Sequence, residues 1–379
     1  MVVTNLLFFP SGGRGHKTIA SRPGWIYNKE EYAVRWHGAA KGSGMARKKP
    51  KTCRRRAAGL LAAVSLGMLL PSGCSADAQP LSRTGFALDT VVTVSLYDRR
   101  DASLLDACFA QIAHCEALFS RTKEGSDVWN LNHAGGAWTP VAQETAALLR
   151  TAKSLAALTQ GAFDPTIAPA SALWDFTAES PALPDPGLLA EAASHVDYTC
   201  LEVEDGRARL TDPQAAVDLG GIAKGYIADR LAALLRENGV ESALIDLGGN
   251  IFALGQKSGK DWRIGIRDPA DSGGTAAVAA AADQAVVTSG IYERGFDLGG
   301  VRYHHLLNPA DGMPVHNGLA AVTVICADSA QADALSTACF VLGEQEGTAL
   351  IESLGETQAL FIRRDGTMAA TAGFPWDGA

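Results

Sequence analysis

The stretch DLGGIAKGYIAD, residues 218–229, places a carboxylate, two adjacent glycines and a lysine at the predicted start of a helix. Gly220 and Gly221 let the backbone approach a ligand closely, and the first turn of a helix presents unpaired N–H groups. Lys224 falls within that turn, where its ammonium can reach the same ligand. The pattern is typical of an anion site, most often for phosphate. A Gly-Gly turn with an exposed lysine is the alternative, since the stretch lacks Walker spacing.

A second candidate is GAFDPTIAP, residues 161–169. Asp164 precedes Pro165, which favours an extended or turn conformation at that point. Phe163 offers a flat surface that could cradle an aromatic ring system. The same residues are equally consistent with the end of a helix followed by an aromatic residue of the core.

The third candidate is ADALSTACFVLG, residues 332–343, in which Asp333 and Thr337 lie four residues apart. On a helix this spacing projects both oxygens from one face. A carboxylate and a hydroxyl suit a hard cation such as Mg²⁺, which prefers oxygen ligands. A local hydrogen bond between the two side chains is the alternative.

The fourth candidate is YHHLLNP, residues 303–309, with two adjacent histidines in a predicted strand. Neighbouring strand residues face opposite ways, so at most one of His304 and His305 points into a given cleft. A histidine beside a metal-bound phosphate could act as a general base. A solvent-facing strand histidine explains the pattern equally well.

Hydrophobic periodicity predicts the elements that would carry these motifs. Helices are predicted at 101–120, 140–160 (with Thr139 as cap and Gly161 as stop), 223–238 and 329–342. Strands are predicted at 86–97, 242–249, 262–268, 285–294, 320–327 and 358–364, with a weak strand within 271–284 and hairpins at Asp205-Gly206 and leading into 302–309. Hairpins segregated from helices indicate an α+β fold with largely antiparallel sheets and packed helices, as one large domain or two intimate lobes.

A segment that starts at Met45 resembles a targeting signal. Residues 45–74 hold seven Lys and Arg, then an apolar run, then small residues before Cys74. This is the layout of an export signal, and the apolar run is shorter than the roughly 20 residues of a membrane span. The SGC ending resembles a lipoprotein signal, which predicts a lipid anchor on Cys74; a plain signal peptide or signal anchor is the alternative. Residues 1–44 are expected to be disordered or to precede the true start, and residues 75–84 to form a short tether.

Composition narrows the possible partners. Residues 1–74 hold 13 of the 33 Lys and Arg but 2 of the 41 Asp and Glu, so residues 75–379 carry a net charge of −19. A domain with so large a negative net charge repels nucleic acid. The five cysteines after the leader form neither a CxxC pair nor a zinc-like cluster, which favours buried free thiols and leaves disulfides open: Cys108, Cys115, Cys200, Cys326 and Cys339.

Together the motifs resemble the FAD:protein FMN transferases, also called ApbE-like flavin transferases. The matching stretches span residues 86–343 in family order: FALDTVVTV, FSRTKEGSDVWNLN, GAFDPTIAPASALW, DLGGIAKGYIAD, LIDLGGNI, WRIGIRDP, VTSGIYER, YHHLLNPADGMPV and DSAQADALSTACFVLG. The resemblance implies an ApbE-like, T-fold-related architecture and a catalytic domain at 85–379. It implies a catalytic His305, Mg²⁺ ligation by Asp333, Thr337 and the carbonyl of Gly221, and FAD contacts by Leu88, Ala162, Phe163, Asp164, Asp218, Lys224 and Leu307. Leu88 stands where the family usually has Met, and Thr122 where it often has Tyr.

The resemblance also implies the reaction. Such enzymes use Mg²⁺ to move the FMN half of FAD onto a Thr or Ser hydroxyl of a partner protein and release AMP. The expected acceptors are membrane electron-transfer subunits or exported proteins with FMN-binding modules, met by a lipid-anchored enzyme on the extracytoplasmic side of a bacterial membrane. Two other activities fit the same residues: an FAD pyrophosphatase that uses water as acceptor, and a lipoprotein that only binds flavin.

Overall fold

An eight-stranded antiparallel sheet organises the described residues. The computed structural model describes residues 79–271 and 273–378. The predicted leader, signal segment and Cys74 anchor lie outside them. The strands are β1 (Leu81–Ala87), β2 (Thr90–Leu96), β3 (Thr139–Pro140), β4 (Leu201–Glu204), β5 (Arg207–Leu210), β6 (Ser242–Leu247), β7 (Asn250–Gly255), β8 (Trp262–Arg267), β9 (Thr275–Ala281), β10 (Gln284–Gly290), β11 (Gly295–Leu298), β12 (Val301–His304), β13 (Leu319–Cys326), β14 (Gln358–Arg363), β15 (Met368–Ala370) and β16 (Trp376–Gly378). The large sheet has the strand order β1-β2-β6-β7-β10-β13-β14-β15.

The α-helices pack mainly against one face of this sheet. They are α1 (Ala102–Phe119), α2 (Asp127–Asn132), α3 (Gln143–Leu158), α4 (Ala168–Ser171), α5 (Pro186–Ala193), α6 (Ala223–Glu237), α7 (Ser329–Leu342) and α8 (Glu344–Glu352), with a 3₁₀ turn at Tyr198–Cys200. The α+β class with antiparallel sheets is confirmed. No helix of the described part of the chain is both long and apolar enough to cross a bilayer.

The centre of the sheet is covered on both faces. All eight residues of β13 are buried, which explains its unbroken apolar sequence. One face packs against α6 and α7 in the main core, and the other against the small sheet β16-β9-β8. The Ala-rich segment predicted as a weak strand is β9, paired with both β8 and β16.

The single strand predicted at 86–97 is wrong, because the chain turns back within it. Leu88 and Asp89 adopt φ values of 54° and 57° and join β1 to β2 as a hairpin. Such a two-residue turn usually carries Asn-Gly or Asp-Gly, so the sequence gives little warning of it. β1 begins at Leu81, inside the segment 75–84 predicted as a tether, so that expectation is wrong from Leu81 onward.

The predicted helix at 140–160 starts later than its pattern indicated. Thr139 and Pro140 pair with β5 as a short strand, and Ala142 rather than Thr139 is the N-cap residue of α3. The predicted stop is confirmed: Gly161 has a φ of 84° and its N–H donates to the carbonyl of Ala156 at 2.8 Å. Elsewhere α1, α6, α7 and the hairpin at Asp205-Gly206 form where the periodicity placed them. All five cysteines after the leader are buried and free.

Candidate functional site

The conformation of the loop before α6 is stabilised by hydrogen bonds of Asp218, which belongs to the loop. Asp218 Oδ1 accepts the N–H of Gly220 at 2.8 Å, and the Asp218 N–H donates to the carbonyl of Pro165 at 2.8 Å. This second bond ties the DLGG loop to the FDPT loop. Lys224, in the first turn of α6, is partly buried, and its Nζ lies 3.4 Å from the Gly220 carbonyl.

Two of the first-turn amides of α6 are already paired, which corrects the expectation of unpaired donors. The N–H of Ala223 donates to the Leu219 carbonyl at 2.8 Å, and the N–H of Gly225 donates to Asp333 Oδ2 at 2.9 Å. An anion at this helix start would therefore be held chiefly by the Lys224 ammonium and the helix dipole.

Three predicted site residues meet at Gly221. A Cβ built on Gly221 would lie 3.2 Å from Phe163 Cε2 and 3.7 Å from Thr337 Oγ1. These residues come from the loop before α6, the loop after α3 and the middle of α7. The sheet and helices thus bring together segments that are up to 174 positions apart in the chain.

Asp333 is buried but keeps one oxygen for a ligand. Its side chain is 5% exposed; Oδ2 accepts the Gly225 amide, while Oδ1 lies 3.9 Å from Lys224 Nζ, beyond hydrogen-bond distance. A buried carboxylate needs a compensating cation. One turn along α7, Thr337 Oγ1 lies 3.3 Å from Ser289 Oγ.

This donor set suits a hard cation. Asp333 supplies a carboxylate oxygen, Thr337 a hydroxyl and Gly221 a backbone carbonyl, all oxygen donors of the kind that Mg²⁺ prefers. Within residues 79–271 and 273–378 no three His, Cys, Asp or Glu side chains converge as a metal site. A single carboxylate with neutral oxygens leaves room for the phosphate oxygens of a substrate to complete the coordination.

Asp164 stabilises its own loop. Oδ1 accepts both the amide and the hydroxyl of Thr166, and Oδ2 accepts the Tyr198 amide at 3.0 Å. Burial raises the pKa of Asp164, and these three bonds oppose the shift. Its neighbour Phe163 is 4% exposed and belongs to the main core, and Ala162 packs against that core. The core interpretation of this motif is therefore confirmed for Phe163, which also lies next to Gly221, and the flavin-site interpretation stays a prediction.

Arg121 was missed by the sequence reasoning. Its Nε lies 3.1 Å from Asp218 Oδ2, and Ser171 Oγ donates to the same oxygen at 3.3 Å. Arg121 follows α1 in a loop, where no periodicity marks it as functional. Its position in the quoted family stretch FSRTKEGSD was the available signal.

Glu293 was also missed, although it lies within the quoted stretch VTSGIYER. A Cβ on Gly249 would lie 3.7 Å from Glu293 Oε1, which places this carboxylate beside the β6–β7 turn. Although part of the residue is exposed, desolvation of its carboxylate raises its pKa, while Lys224 lowers it and Asp333 raises it further. Glu293 thus shares an electrostatic environment with two predicted site residues.

The two adjacent histidines face opposite ways, as predicted. His304 is fully buried, and its Nε2 lies 3.1 Å from the Val315 carbonyl. His305 is partly buried, and its Nδ1 lies 3.3 Å from the Arg294 carbonyl. Desolvation and the positive charges of Arg294 and Lys224 lower the pKa of His305 to about 4. The His305 imidazole is therefore neutral at pH 7 and able to accept a proton.

Leu307 and Leu88 lie outside the contacts around Gly221. Leu307 is buried in a hydrophobic cluster with Trp174 and Phe296, and it forms a bridge with Pro314. Leu88 sits in the β1–β2 turn, where its N–H donates to Glu116 Oε1 at 3.0 Å. Their predicted flavin contacts stay predictions.

Fold and site together define an α+β protein in which a lysine at a helix start lies beside the buried carboxylate of Asp333. The model of the ApbE family matches residues 88–361. The chain therefore belongs to the ApbE family. It is 37% identical over 323 residues to the FAD:protein FMN transferase of Treponema pallidum, covering 79% of this chain and 89% of that one.

Two solved structures agree with this assignment. The ApbE protein of Thermotoga maritima superposes with a TM-score of 0.72 at 32% identity, covering 78% of this chain and 97% of that one. The flavinyl transferase ApbE of Pseudomonas stutzeri, in its apo form, superposes with a TM-score of 0.70 at 30% identity, over 78% of this chain and 95% of that one.

Proposed function

We propose that the protein transfers the FMN half of FAD to a Thr or Ser hydroxyl of a partner protein and releases AMP. The hydroxyl oxygen bonds to the phosphorus of the FMN half, the pyrophosphate P–O bond to the AMP half breaks, and the hydroxyl proton passes to a base. The supporting observation is the convergence of Lys224, Gly221, Asp333 and Thr337 at the start of α6. The names of the relatives support the same reaction.

The metal proposed for this site is Mg²⁺, held by Asp333, Thr337 and the Gly221 carbonyl. When bound, it would neutralise charge on the pyrophosphate, which is the main requirement of phosphoryl transfer. Lys224 would bind phosphate oxygens from the helix start and stabilise the charge that develops on them. Arg121 and Asp218 would position the loop that closes this side of the site.

His305 is proposed as the general base. Its low pKa keeps the imidazole neutral at pH 7, and its hydrogen-bond contact with the Arg294 carbonyl fixes the ring. The other ring nitrogen is then the one that would take the proton of the attacking hydroxyl. Ala162, Phe163, Asp164, Leu88 and Leu307 are proposed to shape the flavin side of the site.

Two further activities would use the same residues. A pyrophosphatase would direct water instead of a protein hydroxyl at the phosphorus and yield free FMN and AMP. A flavin carrier would need neither a base nor a cation pocket, so the joint presence of His305, Asp333 and Thr337 argues against it. We also propose that Cys74 carries a lipid anchor and that the enzyme meets acceptor proteins on the extracytoplasmic side of the membrane.

Incubation of the protein with FAD, Mg²⁺ and an exported protein that contains an FMN-binding module tests these activities together. Transferase activity gives a fluorescent acceptor band that survives denaturing electrophoresis, with AMP released in equal amount. AMP and free FMN without a fluorescent band identify a pyrophosphatase. FAD that stays intact with Mg²⁺ present contradicts both enzyme activities and supports the carrier.

A further inference from the structure

Helices α6 and α7 cap each other's first turn through reciprocal carboxylates. Asp333 of α7 accepts the N–H of Gly225 in the first turn of α6 at 2.9 Å. In return, Asp229 of α6 accepts the N–H groups of Ser329 and Ala330, the first two residues of α7, each at 2.9 Å. The first turn of each helix is thus bound by a side chain of the other.

The two contacts lie on facing surfaces of the helices. Gly225 and Asp229 are four residues apart on α6, and Ser329 and Asp333 are four apart on α7, so each pair shares one helical face. The helices touch closely between them, because Gly225 leaves no side chain against the Ser329 carbonyl.

The α7 end of this contact is anchored to the sheet. Ser329 Oγ donates to Asn250 Oδ1 at 2.9 Å, and both residues are buried. Asp328 satisfies the next amide of α7, that of Gln331, at 2.7 Å. The first turn of α7 is therefore bound by Asp229, Asn250 and Asp328, and of these Asp229 belongs to the helix that carries Lys224.

We infer that Asp229 is a positioning residue for the cation pocket: it sets the register of α7 against α6 and so aims Asp333 and Thr337 at Gly221. This inference rests on the proposed function. Without Asp229 the Ser329 and Ala330 amides lose their acceptor, and of the hydrogen bonds between α6 and α7 described above the one from Gly225 to Asp333 remains. Loss of a hydrogen-bond partner of a metal ligand typically lowers metal affinity by about 10- to 100-fold, and we expect a shift of the helix that carries two ligands to act on a similar scale.

The test compares metal binding in the full-length protein with Asp229→Asn and Leu231→Ala. Leu231 is fully buried on α6, so its truncation destabilises the same helix without touching either carboxylate. Mn²⁺ binding by electron paramagnetic resonance, in the absence of FAD, is the first measurement. The Mg²⁺ concentration that gives half-maximal FMN transfer is the second.

We expect Asp229→Asn to weaken Mn²⁺ binding and to raise the half-maximal Mg²⁺ concentration by at least tenfold, with much of the maximal rate regained at high Mg²⁺. Leu231→Ala should lower the melting temperature and leave both metal readouts unchanged. Should Asp229→Asn fail to fold, Asp229→Glu keeps the carboxylate and should give a smaller shift of both readouts. Equal metal readouts for the wild type and the Asp229 variants, or equal shifts in Leu231→Ala, would overturn the inference. A wild type that binds Mn²⁺ but transfers no FMN contradicts the proposed function instead.

Discussion

Gly225 on α6 lies directly against the carbonyl of Ser329 on α7: a Cβ on this glycine would stand 2.1 Å from that oxygen. No side chain fits there without separation of the two helices. Both helices carry proposed ligands, Lys224 on one and Asp333 with Thr337 on the other. The missing side chain of Gly225 therefore sets how closely the two helices that carry these proposed ligands approach each other.

The first prediction follows from this contact. Gly225→Ala should lower the free energy of unfolding by about 1–3 kcal/mol, the usual effect of overpacking, and abolish most FMN transfer. Gly265→Ala is the matched control, because its Cβ would meet Thr275 at an ordinary 3.5 Å. Urea unfolding and the transfer assay measure the two effects. Full activity in Gly225→Ala would show that the helices can separate without harm to the site.

The second prediction separates the charge of Asp333 from its structural bond. Asp333→Asn keeps an oxygen that can accept the Gly225 amide but removes the negative charge offered to a cation. We expect nearly unchanged stability and a rise in the half-maximal Mg²⁺ concentration above about 100-fold, larger than for an outer partner. Calorimetric titration with Mg²⁺ and thermal unfolding are the measurements. A large loss of stability with unchanged Mg²⁺ affinity would make Asp333 a structural residue only.

The sequence pattern identifies the proposed metal ligands more readily than the residues that bring them together. Asp333 and Thr337 lie on α7, where their spacing fixes the face that both side chains share, whereas Gly221 lies in the loop before α6. These residues come together because α6 and α7 cross closely. The local sequence does not indicate which glycine permits this crossing. Arg121 and Glu293 lie in loops, where neither periodicity nor capping distinguishes a charge beside the proposed site from a solvated one.

The errors in the fold have the same origin. The β1–β2 turn at Leu88 and Asp89 lacks the glycine that usually marks positive φ, so an alternating run was interpreted as one strand. The start of α3 was misplaced because Thr139 is a good cap in isolation, whereas pairing with β5 draws it into a sheet. In both places a tertiary pairing prevailed over a local preference.

The third prediction concerns the base. His305→Ala should retain FAD binding and lose about 10²- to 10⁴-fold in the rate of FMN transfer, the usual contribution of a general base. His133→Ala is the control, since His133 is a partly exposed histidine that stacks on Trp129 instead. Fluorescence titration with FAD and single-turnover release of AMP separate binding from chemistry. An unchanged transfer rate in His305→Ala would assign the proton to another group.

The last prediction concerns acid stability and His304. Desolvation, with a smaller effect from His305, lowers the pKa of His304 to about 3, whereas an unfolded histidine titrates near 6.5. Between these two pH values, His304 is protonated in the unfolded chain but neutral in the folded protein. The free energy of unfolding therefore has its full value above about pH 6.5 and falls as the pH drops toward 3. One such group contributes a slope of up to about 1.4 kcal/mol per pH unit.

Urea unfolding at half-unit steps from pH 4.5 to 7.5 should show a shallower slope for His304→Gln, whose amide can still donate to the Val315 carbonyl, than for the wild type. Identical slopes in the wild type and His304→Gln would mean that His304 takes up its proton without unfolding.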